Sequence, residues 1–504
     1  MTTSKHRHAP PKASAMIEAL RGLGYSTWTA LADLVDNSIS ADATAVAISF
    51  AWPETGSYIS ILDNGTGMSS EELDRAMRLG ERSPLDARES HDLGRFGLGL
   101  KTASFSQCRR LTVASRKDGA TDCLRWDLDV VAHSKGDGWY ILEGPDEASV
   151  DLLTPLQDVG SGTLVLWEML DRIATPGFTK QDFLDLADRV EQHLGMVFHR
   201  YISGKRRRLQ ISINGRPIEP WDPFLIGHGA TYSSPIECIF GDAGMIEIQG
   251  HVLPHKDRLT ESEHRSAGGP DGWTAQQGFY VYRNERLLLA GHWLGLGQQR
   301  SWTKEQAHQL ARVRVDIPNS ADAEWKIDIR KSTARPPIHI RYRLVRLAED
   351  IRERARRVFA HRAEAVRIGA EPTLRAWRAE HFGGSMRYRI DEEHPAVKAV
   401  LEQADELGPQ VRAMLRIIEE TIPVQRIWLD AGESAESTRS AFAGEAPEHV
   451  RAVLAVVFQN LVRKKGMSPA SAKEHLLRTE PFYNYAELIA DLPDDVDMSG
   501  SGTE

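Results

Sequence analysis

The chain has 504 residues, of which 41% are hydrophobic and 26% are charged, and its formal net charge is −9 at pH 7. This composition is typical of a soluble globular protein, and the length predicts about two to four domains with sizeable cores. The negative charge argues against a protein that coats nucleic acid over its whole surface, although it allows a local basic patch.

The cysteine content and the hydropathy pattern indicate the expected cellular location. Cys108, Cys123 and Cys238 have no metal-ligand spacing and are expected to be free thiols in a reducing cytoplasm. The chain shows no apolar N-terminal region and no run of about 18 apolar residues, so we expect neither a signal peptide nor a membrane span.

The N-terminal part of the chain is predicted to form helices beside one mixed or antiparallel sheet. Residues 1–11 are polar and proline-rich and are expected to be disordered. Ser26 or Thr27 is predicted to cap the helix that contains TALADLVDNSISADAT (29–44), and TAVAISF (44–50) is predicted to be a strand. Together these elements predict an α/β sandwich. The other predicted elements are helices near 12–20, 70–80, 97–107 and 178–202 and strands near 57–62, 110–116, 122–130, 138–143 and 162–168.

A second, α+β domain is predicted to follow at about residues 204–345. Asn214-Gly215 is a strong hairpin signal, and GFYVYRNERLLLAG (278–291) has the pattern of a second hairpin. Two further strands are predicted from ARVRVDIP and WKIDIRKS, and a long basic-rich helix is predicted over 339–369.

The helix predicted over residues 29–44 carries polar residues within an apolar pattern. Leu34 and Val35 belong to a stripe that is expected to face the core. Asp33 and Asn37 are four positions apart, so they share another face of the helix, one turn from each other. Taken alone, such a pair is more often a solvated face than a metal site, and its interpretation depends on the motifs that follow.

A glycine-bearing motif, ILDNGTGM (61–68), comes after a predicted strand. The strand delivers Asp63 at its end, where a carboxylate can accept a hydrogen bond from an exocyclic amine. Gly65 and Gly67 free the backbone beside it and would let a flat ring approach the chain, next to Met68. The motif is therefore a candidate for binding a purine base.

A second glycine-bearing motif, GRFGLGLKTAS (94–104), starts a predicted helix. Gly94, Gly97 and Gly99 precede the helix, so exposed N–H groups and the positive helix end can hold phosphates. Lys101 adds a point charge to this motif. We interpret it as a candidate phosphate site, although these glycines could instead permit close packing.

A third motif, SGTLVLWEML (161–170), places Thr163 at the start of a strand. Two other glycine-rich sites are excluded by context. A dinucleotide fold needs G-x-G-x-x-G between a strand and a helix, with an acidic residue about 20 positions on, whereas the order here is G-x-x-G-x-G after a loop. The P-loop pattern G-x-x-x-x-G-K-[ST] is absent from the sequence.

The order of these motifs resembles the Bergerat-type ATP site of the GHKL superfamily, which includes gyrase, histidine kinases and MutL. The matching pieces are DLVDN, DNGTGM, GRFGLGLK and GT. Two longer segments, ALADLVDNSISADATAV and GTLVLWEML, are most similar to the MORC-type branch and its prokaryotic relatives. A weaker resemblance runs through GFYVYRNERLLLAGHWLGLG and WKIDIRKSTARPP, where the family has a ribosomal-S5-like transducer domain.

The resemblance implies a role for each matching residue. Asp33 matches the position, usually glutamate, that orients or deprotonates the attacking water, and Asn37 matches the asparagine that holds Mg²⁺. Asp63 matches the aspartate that reads adenine, helped by Thr163. The residues implied to contact the nucleotide are Asn37, Asp63, Gly65, Gly67, Met68, Gly94, Arg95, Phe96, Gly97, Leu98, Gly99, Leu100, Lys101 and Thr163, and residues 81–96 match the lid.

The transducer domains of the family carry a lysine that reaches the γ-phosphate. Lys331 is the best match and Lys326 the second, and on the predicted strand only one of them could point inward, because alternate residues face opposite sides. Asp33 is one methylene shorter than the usual glutamate. It can act through water, or the site can hydrolyse slowly and serve as an ATP-triggered clamp, with Asp36 in a supporting role.

The resemblance implies a cytoplasmic, Mg²⁺-dependent ATPase that forms a homodimer on binding ATP and acts on DNA or a protein partner, in DNA handling or genome defence. A non-hydrolysing ATP-binding scaffold is an alternative. A histidine kinase is disfavoured, because the additional domains follow the ATP motifs instead of preceding them.

The run KRRR (205–208) is interpreted as a solvated turn, with DNA contact as the minority alternative. The predicted boundaries are 1–11 for a disordered N-terminus, 12–203 for the ATP-binding domain, 204–345 for the transducer, 346–384 for the long helix and linker, 385–490 for a helical C-terminal domain and 491–504 for an acidic tail.

Overall fold

A computed structural model of the chain divides into two compact units, residues 1–360 and residues 361–504. Each unit is described by itself. The predicted lid, apart from Glu81, and the KRRR run lie outside the described residues. The structure describes residues 11–53, 56–81, 99–134, 139–204, 209–241, 244–322, 324–328, 331, 333–360, 374–382, 385–423, 448–480 and 482–494.

The first sheet of the N-terminal unit has eight strands in the described residues, in the order β5-β4-β3-β6-β2-β1-β7-β8. Strand β1 pairs with β7 in parallel, and the other neighbouring strands are antiparallel. This mixed sheet confirms the predicted fold class. The strands are β1 (Ala45–Ala51), β2 (Tyr58–Asp63), β3 (Arg110–Lys117), β4 (Ala120–Asp127), β5 (Leu142–Glu143), β6 (Gly162–Glu168), β7 (Gln210–Ile213) and β8 (Arg216–Pro217).

Helices cover one face of this sheet, because alternate residues of its strands are apolar and buried. The large side chains of Trp126 and Trp167 lie in the resulting core, and Ser26 caps the second helix by accepting a hydrogen bond from the backbone N–H of Thr29. The helices are α1 (Ala13–Arg21), α2 (Thr27–Ser40), α3 (Ser70–Met77), α4 (Gly99–Phe105), α5 (Leu128–His133), α6 (Lys180–Val197) and α7 (His199–Ser203), with a 3-10 segment at Glu147–Asp158.

A second sheet in the same unit has the order β10-β11-β14-β12-β13, with β9 paired to β11. The turn between β12 and β13 uses Asn284 and Glu285 at positive φ, as a two-residue hairpin requires. The elements are β9 (Tyr232–Ser233), β10 (Glu237–Gly241), β11 (Gly244–Val252), β12 (Gly278–Arg283), β13 (Arg286–His292), β14 (Ala311–Ile317), α8 (Glu261–Gly268), α9 (Gly272–Ala275) and α10 (Ile338–Ala360), with 3-10 segments at Lys256–Arg258, Gln306–His308 and Asn319–Asp322.

Helix α10 packs on this second sheet. A Cβ atom added at Gly250 would lie 2.3 Å from the Cδ1 atom of Ile351, so only glycine lets the helix approach β11 this closely. The helix begins one residue before the predicted start, and the predicted residues 361–369 lie outside the described part of the chain.

The strand predicted from WKIDIRKS is wrong. Residues 324–328 form a turn followed by irregular chain, and Trp325 is buried in the core beside the second sheet. Lys326 and Lys331 adopt positive φ angles of 49° and 53°, which an extended strand does not contain. The prediction that only one of these two lysines can point inward, which assumed a strand, therefore does not apply.

The C-terminal unit is mostly helical and has its own apolar core, to which Leu454, Phe458 and Leu476 contribute. It also contains a hairpin that the sequence pattern did not predict. None of the helices in the described ranges is both long and apolar enough to cross a membrane. The elements are β15 (Trp377–Phe382), β16 (Ser385–Ile390), α11 (Pro395–Gln403), α12 (Gly408–Glu420), α13 (Glu448–Arg463), α14 (Pro469–Leu476) and α15 (Ala486–Ala490), with 3-10 segments at Asp405–Leu407 and Phe482–Asn484.

Candidate nucleotide site

Helix α2 presents two buried carboxylates and one exposed carboxamide. The relative exposure of Asp33 is 5% and that of Asp36 is 1%, whereas Asn37 is exposed. Removing a carboxylate from water is costly unless cations or hydrogen-bond donors replace the lost hydration. The partners of the two aspartates therefore decide what this helix can do.

Two cations from distant parts of the chain meet these aspartates. Lys331 Nζ donates to Asp33 Oδ1 at 2.9 Å and also to Asp36 Oδ2. Arg286 Nε lies 3.1 Å from both carboxylate oxygens of Asp36, and Arg286 Nη2 lies 3.8 Å from Asp33 Oδ1. Burial opposes ionisation of Asp36, but the charges of Arg286 and Lys331 outweigh it and hold the pKa of Asp36 below its usual value.

Tyr25 contacts the other oxygen of Asp33. Its hydroxyl donates to Asp33 Oδ2 at 3.0 Å, and burial followed by the charge of Asp33 raises the pKa of Tyr25 well above its usual value. Gln107 donates to the backbone carbonyl of Tyr25 and accepts from Thr27, which fixes the start of α2 against α4. Both carboxylate oxygens of Asp33 are thus held in place by hydrogen bonds, one from Tyr25 and one from Lys331.

Asp63 lies at the end of β2, and three protein donors hold its carboxylate. Oδ1 accepts from the backbone N–H groups of Gly65 at 2.9 Å and Thr163 at 3.2 Å, and Oδ2 accepts from Ser38 Oγ at 2.9 Å. Burial raises the pKa of Asp63 despite these hydrogen bonds. Each carboxylate oxygen has two lone pairs, so Oδ2 has the capacity to accept a further hydrogen bond from a ligand.

Ser115 joins the two loops around Asp63. Its hydroxyl lies 2.9 Å from Thr163 Oγ1, accepts from the backbone N–H of Met68 at 2.8 Å and donates to the carbonyl of Gly162 at 3.1 Å. Asp63 and Thr163 are also direct partners in the β2–β6 ladder. The residues predicted to read a base therefore lie side by side at one end of the two central strands β2 and β6.

The glycines after Asp63 are explained by packing within the protein. A Cβ atom at Gly65 would lie 2.7 Å from the carbonyl oxygen of Ala41, and one at Gly67 would lie 2.0 Å from the carbonyl oxygen of Arg116. Gly67 also has a φ of 68°, which disfavours any residue with a side chain. These contacts explain both glycines by packing, and the approach of a flat ring beside them stays a prediction.

Gly67→Ala is expected to reduce the free energy of unfolding by about 2–4 kcal/mol, because it adds a steric clash with the backbone to the strain of positive φ. Gly80→Ala is the matched control, since Gly80 has a φ of 75° and open space around its Cβ position. Thermal and urea unfolding of both variants measure the difference. Equal destabilisation by the two substitutions would contradict a special role for the contact with Arg116.

The phosphate motif is described only in part. Gly94, Arg95, Phe96, Gly97 and Leu98 lie outside the described residues, whereas Gly99, Leu100 and Lys101 begin helix α4. Lys101 is buried, and its Nζ donates to the carbonyl of Ala76 at 2.9 Å. Burial lowers the pKa of Lys101 to about 8.

This lowered pKa gives nucleotide affinity an expected pH dependence. If Lys101 contacts phosphate, the contact is strongest while the amine is charged and is lost as pH rises through about 8. The affinity for ATP is expected to fall about three- to tenfold between about pH 7 and pH 9.5, which corresponds to about 1 kcal/mol. Calorimetry over this range, with Lys101→Met as the control that removes the dependence, checks it. A wild-type profile as flat as that of the variant would contradict a phosphate contact.

Asn37 suits a magnesium ion that is held mainly by the phosphates of a substrate. No group of three or more His, Cys, Asp or Glu side chains within the described ranges is placed to bind a metal. Mg²⁺ prefers oxygen ligands and usually retains waters and phosphate oxygens beside one or two protein ligands. The exposed carboxamide of Asn37, one helical turn from Asp33, provides such an oxygen.

Two groups of predicted site residues contact helix α2. Lys331 lies against Asp33, whereas Lys326 is exposed to solvent. Asp63 and Thr163 are tied to the same helix through Ser38, four residues after Leu34 on its buried side. The sequence did not single out Arg286, Tyr25, Ser38 or Ser115. Arg286 had one local signal, a charged residue at the start of a strand and followed directly by four apolar residues, LLLA.

A buried aspartate and an exposed asparagine on one helix, with a second aspartate on the neighbouring strand β2, are the groups that the resemblance to the GHKL superfamily implies for its ATP site. Residues 25–163 match the family described as "Histidine kinase-, DNA gyrase B-, and HSP90-like ATPase". The chain therefore contains a GHKL ATPase domain, which confirms the resemblance predicted for this part of the sequence. Arg286 and Lys331 lie outside the matched residues.

Several named proteins are similar to the chain at modest identity over the ATPase domain. The chain is 35% identical to ATPase morc-1 of Caenorhabditis elegans over 96 residues, which are 19% of this chain and 11% of that protein. It is 34% identical to ATPase MORC2B of Mus musculus over 128 residues, 25% of this chain and 12% of that protein. It is 29% identical to the chaperone protein HtpG of Salinispora tropica over 130 residues, 23% of this chain and 19% of that protein. The chain thus spans less than a fifth of the length of each of these relatives.

Proposed function

We propose that this protein is a Mg²⁺-dependent ATPase that hydrolyses ATP at the site on α2. The observation that carries the proposal is the pairing of Lys331 with Asp33 on the helix that also exposes Asn37. A base, a cation for the γ-phosphate and a metal ligand are the groups that phosphoryl transfer to water requires in one place.

Each residue has a distinct task in the proposed reaction. Asp63 accepts a hydrogen bond from the adenine amine, supported by Thr163. Asp33 orients the attacking water and accepts its proton, while Lys331 stabilises negative charge on the phosphoryl oxygens. Mg²⁺, held at Asn37, would supply Lewis-acid stabilisation of the same oxygens.

The proposed cycle couples this chemistry to assembly. ATP binding joins two ATPase domains in a homodimer and engages the second-sheet domain through Lys331, and hydrolysis resets this clamp. We place the protein in the cytoplasm, acting on DNA or a protein partner in DNA handling or genome defence. The names of the MORC relatives support the ATPase step, and the later steps rest on analogy.

Steady-state phosphate release, with ATP binding measured by calorimetry, tests the reaction. We expect the wild type to release phosphate in the presence of Mg²⁺, and Asp33→Ala and Asn37→Ala to release far less. EDTA is expected to abolish release by the wild type. Binding of ATP without any release above that of the variants would favour a non-hydrolysing scaffold instead, which the shorter side chain at position 33 makes the second candidate.

The assembly step needs a separate measurement. Size-exclusion chromatography with a non-hydrolysable ATP analogue is expected to shift the chain from its nucleotide-free mass toward a dimer. The absence of any shift would contradict the clamp, although it would leave ATP hydrolysis intact. Recovery of DNA or protein with the trapped form would then identify the class of client.

A further inference from the structure

A buried cluster at helix α2 consists of the carboxylates of Asp33 and Asp36 and the cations of Arg286 and Lys331. The two cations are anchored in different ways. Arg286 is the first residue of β13, and it is anchored by its Nη1 donation to the carbonyl of Leu287 at 2.9 Å. Lys331 itself lies at a bend outside any helix or strand and has a positive φ. A guanidinium fixed to a strand is therefore paired with an ammonium on a loop.

The two cations also divide their partners unequally. Arg286 faces both oxygens of Asp36 and lies 3.8 Å from the nearest oxygen of Asp33. Lys331 bridges Asp33 and Asp36. With both cations present the cluster is electrically neutral, so neither buried carboxylate is left without a counter-charge.

Movement of Lys331 away from the cluster would have very different costs with and without Arg286. With Arg286 in place, Asp36 keeps a bidentate partner when Lys331 leaves. Asp33 keeps the hydrogen bond from Tyr25. Without Arg286, Lys331 would be the main counter-charge of an aspartate that is 1% exposed, and uncovering a buried charge is strongly unfavourable.

We propose that Arg286 is a positioning residue that neutralises Asp36 and thereby leaves Lys331 free to exchange between Asp33 and the γ-phosphate of a bound nucleotide. This inference rests on the proposed function and adds a residue from outside the matched ATPase domain. It predicts that Arg286 affects the recognition of the γ-phosphate specifically. A purely structural role would weaken every nucleotide to the same extent.

The test is the ratio of ATP to ADP affinity, measured by calorimetry, because only ATP carries the γ-phosphate. Arg286→Met is expected to reduce this ratio at least about tenfold while ADP affinity stays within about threefold of the wild type. Arg286→Lys, which keeps the charge, is expected to retain most of the ratio. Asp36→Asn added to Arg286→Met is expected to restore it, because the second carboxylate then no longer retains Lys331.

Arg200→Met is the matched control. Arg200 forms a partly buried pair with Asp316 and packs over the ring of Tyr282, so its loss disturbs the same unit without touching the cluster. This variant is expected to keep the wild-type ratio. Melting temperatures of the nucleotide-free variants report whether each one is folded.

Three results would overturn the inference while the proposed function stands. They are an unchanged ratio in Arg286→Met, an equal loss of ATP and ADP affinity in that variant, and a double variant that binds ADP but does not recover ATP. If Arg286→Met does not fold, the inference is tested with Arg286→Lys and with the double variant. A low ratio of ATP to ADP affinity in both variants contradicts it. Failure of the wild type to bind ATP would instead overturn the proposed function itself.

Discussion

Asp33→Asn is expected to lower the rate of ATP hydrolysis by about two to four orders of magnitude while ATP affinity changes only a few-fold. The amide has the size of the carboxylate, and its oxygen can still accept the hydrogen bond from Tyr25. It cannot accept a proton from water, and it removes the charge that Lys331 faces at 2.9 Å. The loss therefore falls on the chemical step.

Single-turnover phosphate release and calorimetry on the same preparation separate the chemical step from binding. Asp74→Asn is the matched control, because Asp74 forms a solvent-exposed pair with Arg78, the residue after the end of α3. Hydrolysis by Asp33→Asn within about threefold of the wild type would show that Asp33 is not the base. Equal loss of binding and hydrolysis would point to a structural role.

The local elements of the ATPase domain could be predicted because their signals are short-range. The alternation of apolar residues in β1 and the cap at Ser26 both follow from neighbours in the sequence, and the structure has them where they were predicted. The pairing of Asp33 and Asn37 on one helix follows from spacing alone. The order of motifs then indicated the class of site.

The contacts between site residues that are far apart in the sequence were much harder to predict. Arg286 is 250 residues from Asp36, and Lys331 is 298 residues from Asp33, so no periodicity relates them. The resemblance implies Lys331, but the described residues around it do not form the expected strand, because Lys326 and Lys331 have positive φ. The contact of Lys331 with Asp33 therefore arises from a local structure that the sequence did not predict.

The sequence did not reveal the packing around two glycines of the ILDNGTGM motif. The carbonyl groups of Ala41 and Arg116 occupy the space where Cβ atoms of Gly65 and Gly67 would lie. Such contacts depend on how α2 and β3 approach the loop after β2, which a single sequence does not reveal. Ser38 was missed for the same reason, since its partner is 25 residues away on another element.

Asp63→Asn is expected to lower ATP affinity about 10- to 100-fold, the cost of losing a hydrogen bond to a buried charged acceptor. The backbone N–H groups of Gly65 and Thr163 both point at Oδ1, so they hold the amide oxygen there and place the amide nitrogen at the position of Oδ2. A donor would then face the adenine amine, which is also a donor. The same amide nitrogen suits the oxygen that guanine carries at that ring position.

The Asp63→Asn substitution should therefore change which base is bound and should not simply weaken all nucleotides. Calorimetry with ATP and GTP is expected to show a clear ATP preference in the wild type and a reduced or reversed preference in the variant. Asp118→Asn is the matched control, because Asp118 is an exposed turn residue with a φ of 52°, a conformation that asparagine adopts readily. Parallel loss of ATP and GTP binding would mean that Asp63 supports the loop without reading the base. An unchanged ATP affinity would place the base elsewhere and remove the link between Ser38 on α2 and adenine recognition.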